Sequence, residues 1–410
     1  MEINKQKISK KCLTGRHLRE RERVNLAVQI FSFENLLKCY YNCRRRKRYT
    51  VNAIKFEINL EQELSKLKRE LENHTYYPGR SICFVVTKPK PREIFAADFR
   101  DRIVHHILVS YLERIWEPKF IDQSYSCRKD KGAHRAIKDL KKYIKKVSCD
   151  DQQEAYYLQV DIKSFFVSLN KNILFKLIKK YVKNQEILWL AETIIFHNPT
   201  TNYYRKCQMS LFDLIPDHKS LFKVSSDQGL PIGNLTSQFF ANVYLNELDL
   251  FVKHKLKANY YLRYVDDLVL LSRNKQQLKF WQKEISGFLR RELKLELHPN
   301  KQIIQDINKG INFVGFITKP SHILIRRRIV KSLKGKLWNL NKYSGELSKK
   351  QIKNILSVVN SYYGHFKHAQ TFSLREKLWQ EDFNILQKYL EPVDKKISYF
   401  KIKNAESLQI

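Results

Sequence analysis

"YYLRYVDDLVLLS", residues 260–272, decides how this chain is to be read. Apolar and β-branched residues run on both sides of two adjacent aspartates, Asp266 and Asp267. The pattern predicts a strand, a tight turn at the acids and a second strand. Two like charges about 4 Å apart repel by roughly 4 kcal/mol at an effective dielectric of 20, so a packed hairpin carrying both needs compensation. Magnesium supplies it, because that hard cation prefers carboxylate oxygens and keeps positions open for phosphates. A solvated turn tolerates the same dipeptide, and the hairpin alone does not separate the two readings.

Upstream, "AYYLQVDIKSFFVSLN" (155–170) predicts a buried strand from Tyr156 to Val160 that ends on Asp161. If that strand and the hairpin share a sheet, three carboxylates meet at one edge. A pair of ions ~3.5–4 Å apart on such an edge can activate a hydroxyl and stabilise a departing phosphate oxygen. Between these elements, 171–196 read as helices and 198–227 as a polar, irregular insertion or long loop. "GLPIGN" (229–234) then makes a tight turn opening a helix from about Leu235 to Lys257, striped by Phe240, Tyr244, Leu248 and Phe251.

Further out, "YYPGRSICFVVTKPKPREIF" (76–95) reads as a hairpin with a stiff tip at Pro89 and Pro91, bearing Lys88, Lys90 and Arg92. "NLEQELSKLKREL" predicts a helix with Asn59 as N-cap, Gln62 in the capping-box position and Leu60, Leu64, Leu67 and Leu71 on one face. "CRRRKRY" (43–49) is either an exposed charged loop or a phosphate-contacting patch. Beyond Lys301 a second hairpin, "INFVGFITKPSHILIRRR", precedes helices rich in Lys, Tyr and His. His105 and His106 are adjacent in a predicted helix, face different directions, and read as packed side chains rather than ligands.

The balance of 77 Lys and Arg against 41 acidic residues, a formal charge of +36, points to a polyanionic partner such as nucleic acid. A lysine-biased genome supplies part of any such excess. No run approaches the ~18 apolar residues of a membrane span, and "MEINKQKISKK" lacks the apolar core of a signal peptide. Seven cysteines without CxxC spacing read as reduced thiols, neither a disulfide framework nor a zinc site. The expectation is a cytoplasmic protein.

Together, "YVDD" in a hairpin, "VDIKSFF" after a strand and "GLPIGNLTSQFFANVYLNELD" between them strongly resemble the reverse transcriptase family. The order agrees, and the resemblance continues through "KPKPREIFAADFRDRIVHH", "QSYSCRKDKGAHRAI", "LELHPNKQ", "FVGF" and "NSYYGHFKHA", covering roughly residues 60 to 380. It implies an α+β right-hand polymerase: a basic helical N-terminal region (1–75), fingers and an antiparallel-sheet palm (76–325), and a helical thumb with a C-terminal tail (326–410). The implied activity is RNA-directed DNA synthesis, with an RNA template, an RNA–DNA duplex and deoxynucleoside triphosphates as partners. The implied cofactor is a pair of Mg2+ ions, for which Mn2+ can substitute.

Residue by residue, the resemblance makes Asp161 and Asp266 the ligands of both metals, Asp267 a third carboxylate and the carbonyl of Ile162 a further ligand. Phe166 would lie under the incoming sugar and exclude a 2′-hydroxyl, disfavouring RNA synthesis. Arg92, with Lys88 or Lys90, would grip the triphosphate, since a guanidinium binds phosphate oxygens bidentately. Lys301 matches the lysine that protonates departing pyrophosphate. "FVGF" matches the hairpin that holds the primer end.

Where many relatives carry Gln-Gly and then Ser-Pro, this chain has Ile232-Gly233 and Ser237-Gln238. That form resembles the enzymes of diversity-generating retroelements, which copy adenines carelessly and work with a small basic accessory protein. Self-association is an alternative partner. The other readings are a phage-defence reverse transcriptase using a dedicated non-coding RNA or untemplated synthesis, and an inactive RNA-binding scaffold. Ile232 replaces an amide that can hydrogen-bond near the nascent base pair by an aliphatic group, which relaxes selection. Ile232→Gln is therefore expected to lower misincorporation opposite template adenine; sequencing the products checks this, and an unchanged error spectrum refutes it.

Overall fold

The computed structural model describes residues 30–45, 47–343 and 345–403. Residues 1–29 and Arg46, parts of the expected basic N-terminal region, lie outside it, as do Cys12 and the last seven residues of the expected tail. Its strands are β1 (Ser81–Val86), β2 (Arg92–Ala96), β3 (Tyr156–Ile162), β4 (Tyr203–Arg205), β5 (Tyr260–Tyr264) and β6 (Asp267–Ser272). Then follow β7 (Leu297–Asp306), β8 (Ile311–Phe313), β9 (Phe316–Thr318), β10 (Ile323–Ile325), β11 (Leu390–Pro392) and β12 (Phe400–Ile402). The chain forms two units, each gathered from separate stretches. One takes the residues up to Cys127, Asp161–Lys257 and Lys283–Asn300; the other takes Arg128–Val160, Ala258–Gln282 and the residues from Lys301 onward.

The first unit is organised on the helix Phe99–Trp116, capped by the Asp98 side chain. Ile103, Val104, Ile107, Leu108, Leu112 and Trp116 are all buried in it. His105 lies on the same helix, 4% exposed, and burial first of all pulls its pKa down to about 3. A neutral packed imidazole is the result, as its neighbours in sequence suggest. The helix Leu235–Leu250 packs against Phe99–Trp116. It was expected to show one apolar stripe, yet Phe239, Phe240, Ala241, Val243, Tyr244, Leu245 and Leu248 are all buried. Thr236, Ser237, Asn242, Asn246 and Asp249 are buried as well, so the helix is enclosed on nearly every side and its polar face is covered too. The regular helix stops at Leu250, and a π-helical turn, Phe251–Lys255, completes the span expected to reach Lys257.

Helices Phe33–Arg44, Val51–Ile58 and Leu60–Glu72 make up the described N-terminal region. Leu64, Leu67 and Leu71 are buried as their spacing predicts. The expected capping box is not formed. Asn59 is the N-cap by position, but its side chain makes no cap hydrogen bond. It also ends the preceding helix, with φ −117° and ψ 38°, whereas a capping side chain needs extended backbone. In the "CRRRKRY" stretch, Arg44 is committed to an ion pair with Glu57, while Arg45, Lys47, Arg48 and Tyr49 are exposed.

β1 and β2 form an antiparallel hairpin whose last pair is Val86 with Arg92, and β4 adds to β1 in parallel. The segment 198–227 is therefore not a loose loop. Tyr203 and Phe222 pack on Phe95, with ring centroids 6.3 and 5.5 Å away. The buried Glu93 carboxylate accepts from Ser220 Oγ at 2.6 Å and from the Leu221 N–H at 2.8 Å. Aromatic burial and one carboxylate override a polar composition.

β5, β6, β3 and β7 lie in that order in one sheet. Leu268, Val269, Leu270 and Leu271 of β6 are buried on both faces. β8, β9 and β10 form a small antiparallel sheet. Helices Arg327–Asn341 and Lys349–Phe366 follow, the second opened by a full Ser348–Gln351 capping box. Beyond these helices lies the stretch expected as a C-terminal tail. There β11 and β12 pair, and Phe400 packs against Tyr363 and Phe383 at 4.8 and 4.9 Å.

Glu93→Ala strands one buried hydroxyl and one buried N–H. It is expected to cost about 1–3 kcal/mol and to open 198–227 to protease. Thermal melts with limited proteolysis check this; an unchanged melting temperature and digestion pattern would refute it.

Candidate active site

The pairing of Tyr264 with Asp267 leaves Val265 and Asp266 as a two-residue turn. Val265 has φ +56°, a left-handed conformation. At the first position of a short hairpin turn that conformation normally belongs to glycine, and a β-branched residue there stores of order 1–3 kcal/mol. Arg263, wholly buried in β5, donates from Nη1 to the Val265 carbonyl at 3.0 Å and so holds the turn. Asp266 and Asp267 are both half-buried.

Gln159 of β3 reaches Asp267. Its Nε2 lies 3.0 Å from Oδ1, 3.3 Å from Oδ2 and 2.9 Å from the Asn312 carbonyl on β8. Beside this bridge, Tyr264 and Phe313 stand edge to face, 6.5 Å apart. Arg326 is also in electrostatic range of Asp267. Burial and then repulsion from Arg328 pull its pKa down, while the Asp267 charge opposes them. Asp161 is half-buried, two residues after Gln159 on the same strand and therefore on the same face. The strand that carries it runs beside β6.

The glycine turn in the first unit joins two parts of that unit. Gly229 N–H donates to the Leu169 carbonyl at 2.9 Å and Leu230 N–H to the Phe166 carbonyl at 2.8 Å. On its other side Phe95 N–H donates to the Ile232 carbonyl at 2.9 Å, and Ala97 N–H to Asn234 Oδ1 at 3.0 Å. Gly233 has φ +124°, and a Cβ there would meet Ile94 Cγ2 at 2.9 Å. Glycine is required on both counts. Phe166 and Ile232, half-buried, are thus held in one hydrogen-bonded frame.

Gln238 is exposed, but Ser237 is not available beside it. The helix turns Ser237 inward, 2% exposed, to line a small interior cavity with Asp101, His105 and His197. Lys88, Lys90 and Arg92 are all exposed at and beside the hairpin tip, Ile162 is buried, and Lys301 is half-buried on β7. Gln159, Arg263 and Arg326 were missed. A polar residue two positions before the strand-ending aspartate, and an arginine inside an apolar strand, were the available signals.

The hairpin offers carboxylates and main-chain carbonyls, with no sulfur or imidazole in 260–272, which suits a hard, oxygen-seeking cation. Among the described residues no three His, Cys, Asp or Glu side chains form by themselves a group that could hold a metal. Also among the described residues, no helix is long and apolar enough to cross a membrane.

A family model for reverse transcriptase (RNA-dependent DNA polymerase) matches residues 86–318. Protein YkfC of Escherichia coli is 25% identical over 312 residues, covering 68% of this chain and 75% of YkfC. The group II intron-encoded protein LtrA of Lactococcus lactis is 22% identical over 321 residues, covering 62% of this chain and 49% of LtrA. The chain thus spans about half the length of LtrA. The solved apo telomerase from Candida Tropicalis aligns with a TM-score of 0.46 at 12% identity, over 76% of this chain and 57% of that one. With more than half of its length matched by that family model, the chain belongs to the reverse transcriptase family, the RNA-dependent DNA polymerases.

Proposed function

We propose that this chain extends a primer on an RNA template with deoxynucleotides, using Asp161, Asp266 and Asp267 as the acidic edge of the reaction centre. The observation that carries this reading is the β5–β6 turn, where two half-buried aspartates are held in place by Arg263 and Gln159. In right-hand terms, the segment from 76 to 325 supplies fingers and palm. The helices from Arg327 onward serve as a thumb tracking the duplex backbone, and the basic N-terminal helices hold RNA.

The primer 3′ oxygen bonds to the α-phosphorus, the bond to the β-phosphate oxygen breaks, and pyrophosphate leaves. Asp161 and Asp266, with the Ile162 carbonyl, would hold two Mg2+ ions, which would lower the pKa of the hydroxyl and offset the developing charge. Arg92 with Lys88 or Lys90 grips the triphosphate from the exposed hairpin tip. Phe166 closes the space a 2′-hydroxyl would take. Lys301 gives a proton to the departing pyrophosphate.

Ile232 and the exposed Gln238 support the error-prone form found in diversity-generating retroelements, in which a small basic protein assists. The ordered β11–β12 pair and the N-terminal helices extend beyond the matched polymerase segment and offer surface for a dedicated RNA, as a defence enzyme would need. Sequencing the RNA and cDNA that co-purify with the chain separates these roles.

Primer extension on an RNA template with Mg2+ tests the chemistry. Wild type is expected to extend with deoxynucleotides and poorly with ribonucleotides, and Asp266→Ala to fall to background while still binding template. Equal extension by Asp266→Ala would refute the assignment. A wild-type chain that binds RNA and extends nothing would mark an inactive scaffold.

A further inference from the structure

The amide of Gln159 makes contacts that nothing in the proposed chemistry uses. All three oxygens around Nε2 are acceptors only: two of a carboxylate and one of a main-chain carbonyl. The nitrogen must therefore face them, which fixes the orientation of the amide. Its two hydrogens suffice when one straddles the Asp267 carboxylate and the other meets Asn312. An N–H aimed at a carboxylate favours its ionised form and sets its direction. The second bond fastens that carboxylate to β8, the first strand of the hairpin closed by Val314 and Gly315.

We propose that Gln159 is a positioning residue that locks Asp267 to the β8–β9 hairpin, so that the aspartate turn and that hairpin hold one fixed relation. The Tyr264–Phe313 contact lies alongside and limits lateral movement, while the hydrogen bonds set the register. Neither Leu nor Glu at 159 can replace the bridge: Leu has no donor, and Glu places a like charge against Asp267. The catalytic consequence rests on the polymerase reading above. The mechanical one does not.

Full-length wild type, Gln159→Leu, Gln159→Glu, Asp267→Asn and the Leu/Asn double variant are compared. Single-nucleotide incorporation should fall roughly tenfold or more in kcat for Gln159→Leu, the size expected when a hydrogen bond to a charged group is lost. KM for primer–template should change less than kcat, because the duplex-binding helices are untouched even where the primer-end hairpin loosens. The double variant should be no slower than Asp267→Asn alone, since Gln159 acts through that carboxylate. Amide exchange of Ile311–Thr318 should quicken in Gln159→Leu and in Gln159→Glu, whichever of them folds with a wild-type melting profile. Wild-type kcat in Gln159→Leu, or losses that add in the double variant, overturns the proposal. If wild type extends no primer, the polymerase reading fails; the exchange experiment still decides this inference, and unchanged protection overturns it.

Discussion

Two neighbouring negative charges on a two-residue turn are the constraint around which the second unit is built. The turn costs free energy twice, once through carboxylate repulsion and once through the left-handed Val265. What keeps it folded is the strand behind it. Leu268, Val269, Leu270 and Leu271 are all fully buried, and each such side chain contributes roughly 1.5–3 kcal/mol. That sum exceeds the strain of order 1–3 kcal/mol. Polar contacts then decide where the acids point, which apolar burial cannot do. The buried Arg263 holds the Val265 carbonyl, and Gln159 holds Asp267.

The first unit solves a related problem with glycine. A turn that must touch two separate stretches at main-chain distance has no room for side chains, and Gly229 and Gly233 provide that room. The result is a rigid link from the Phe166 segment to β2. Phe166 and Ile232 therefore keep a constant relation. The same unit draws 198–227 into its sheet through β4 and the Glu93 carboxylate.

Elements whose signal is local were legible. The leucine spacing of Leu60–Glu72, the hairpins flanking Asp266 and Gly315, and the strand ending near Asp161 follow from short patterns of apolar alternation and turn residues. Asn59 misleads because two helices abut there, so one residue must serve both ends. The inward turn of Ser237 was not legible either, because motif position says nothing about which way a helix face is turned. Residues 198–227 look polar and 390–402 read as part of a tail, yet Tyr203, Phe222 and Phe400 tie them to aromatic clusters. Those partners are distant in the chain and leave no local trace.

By itself the sequence determined the family, the polyanion-seeking charge and the identity of the acidic and basic residues, because these depend on residue type and order. Tertiary structure alone decided which side chains restrain the acids: Gln159 meets Asp267, and Asn312 beyond it, across more than a hundred residues of chain. Such contacts arise only when the strand order β5-β6-β3-β7 is assembled. A hydrogen bond is specified by position and direction in space, and spacing along the chain fixes neither.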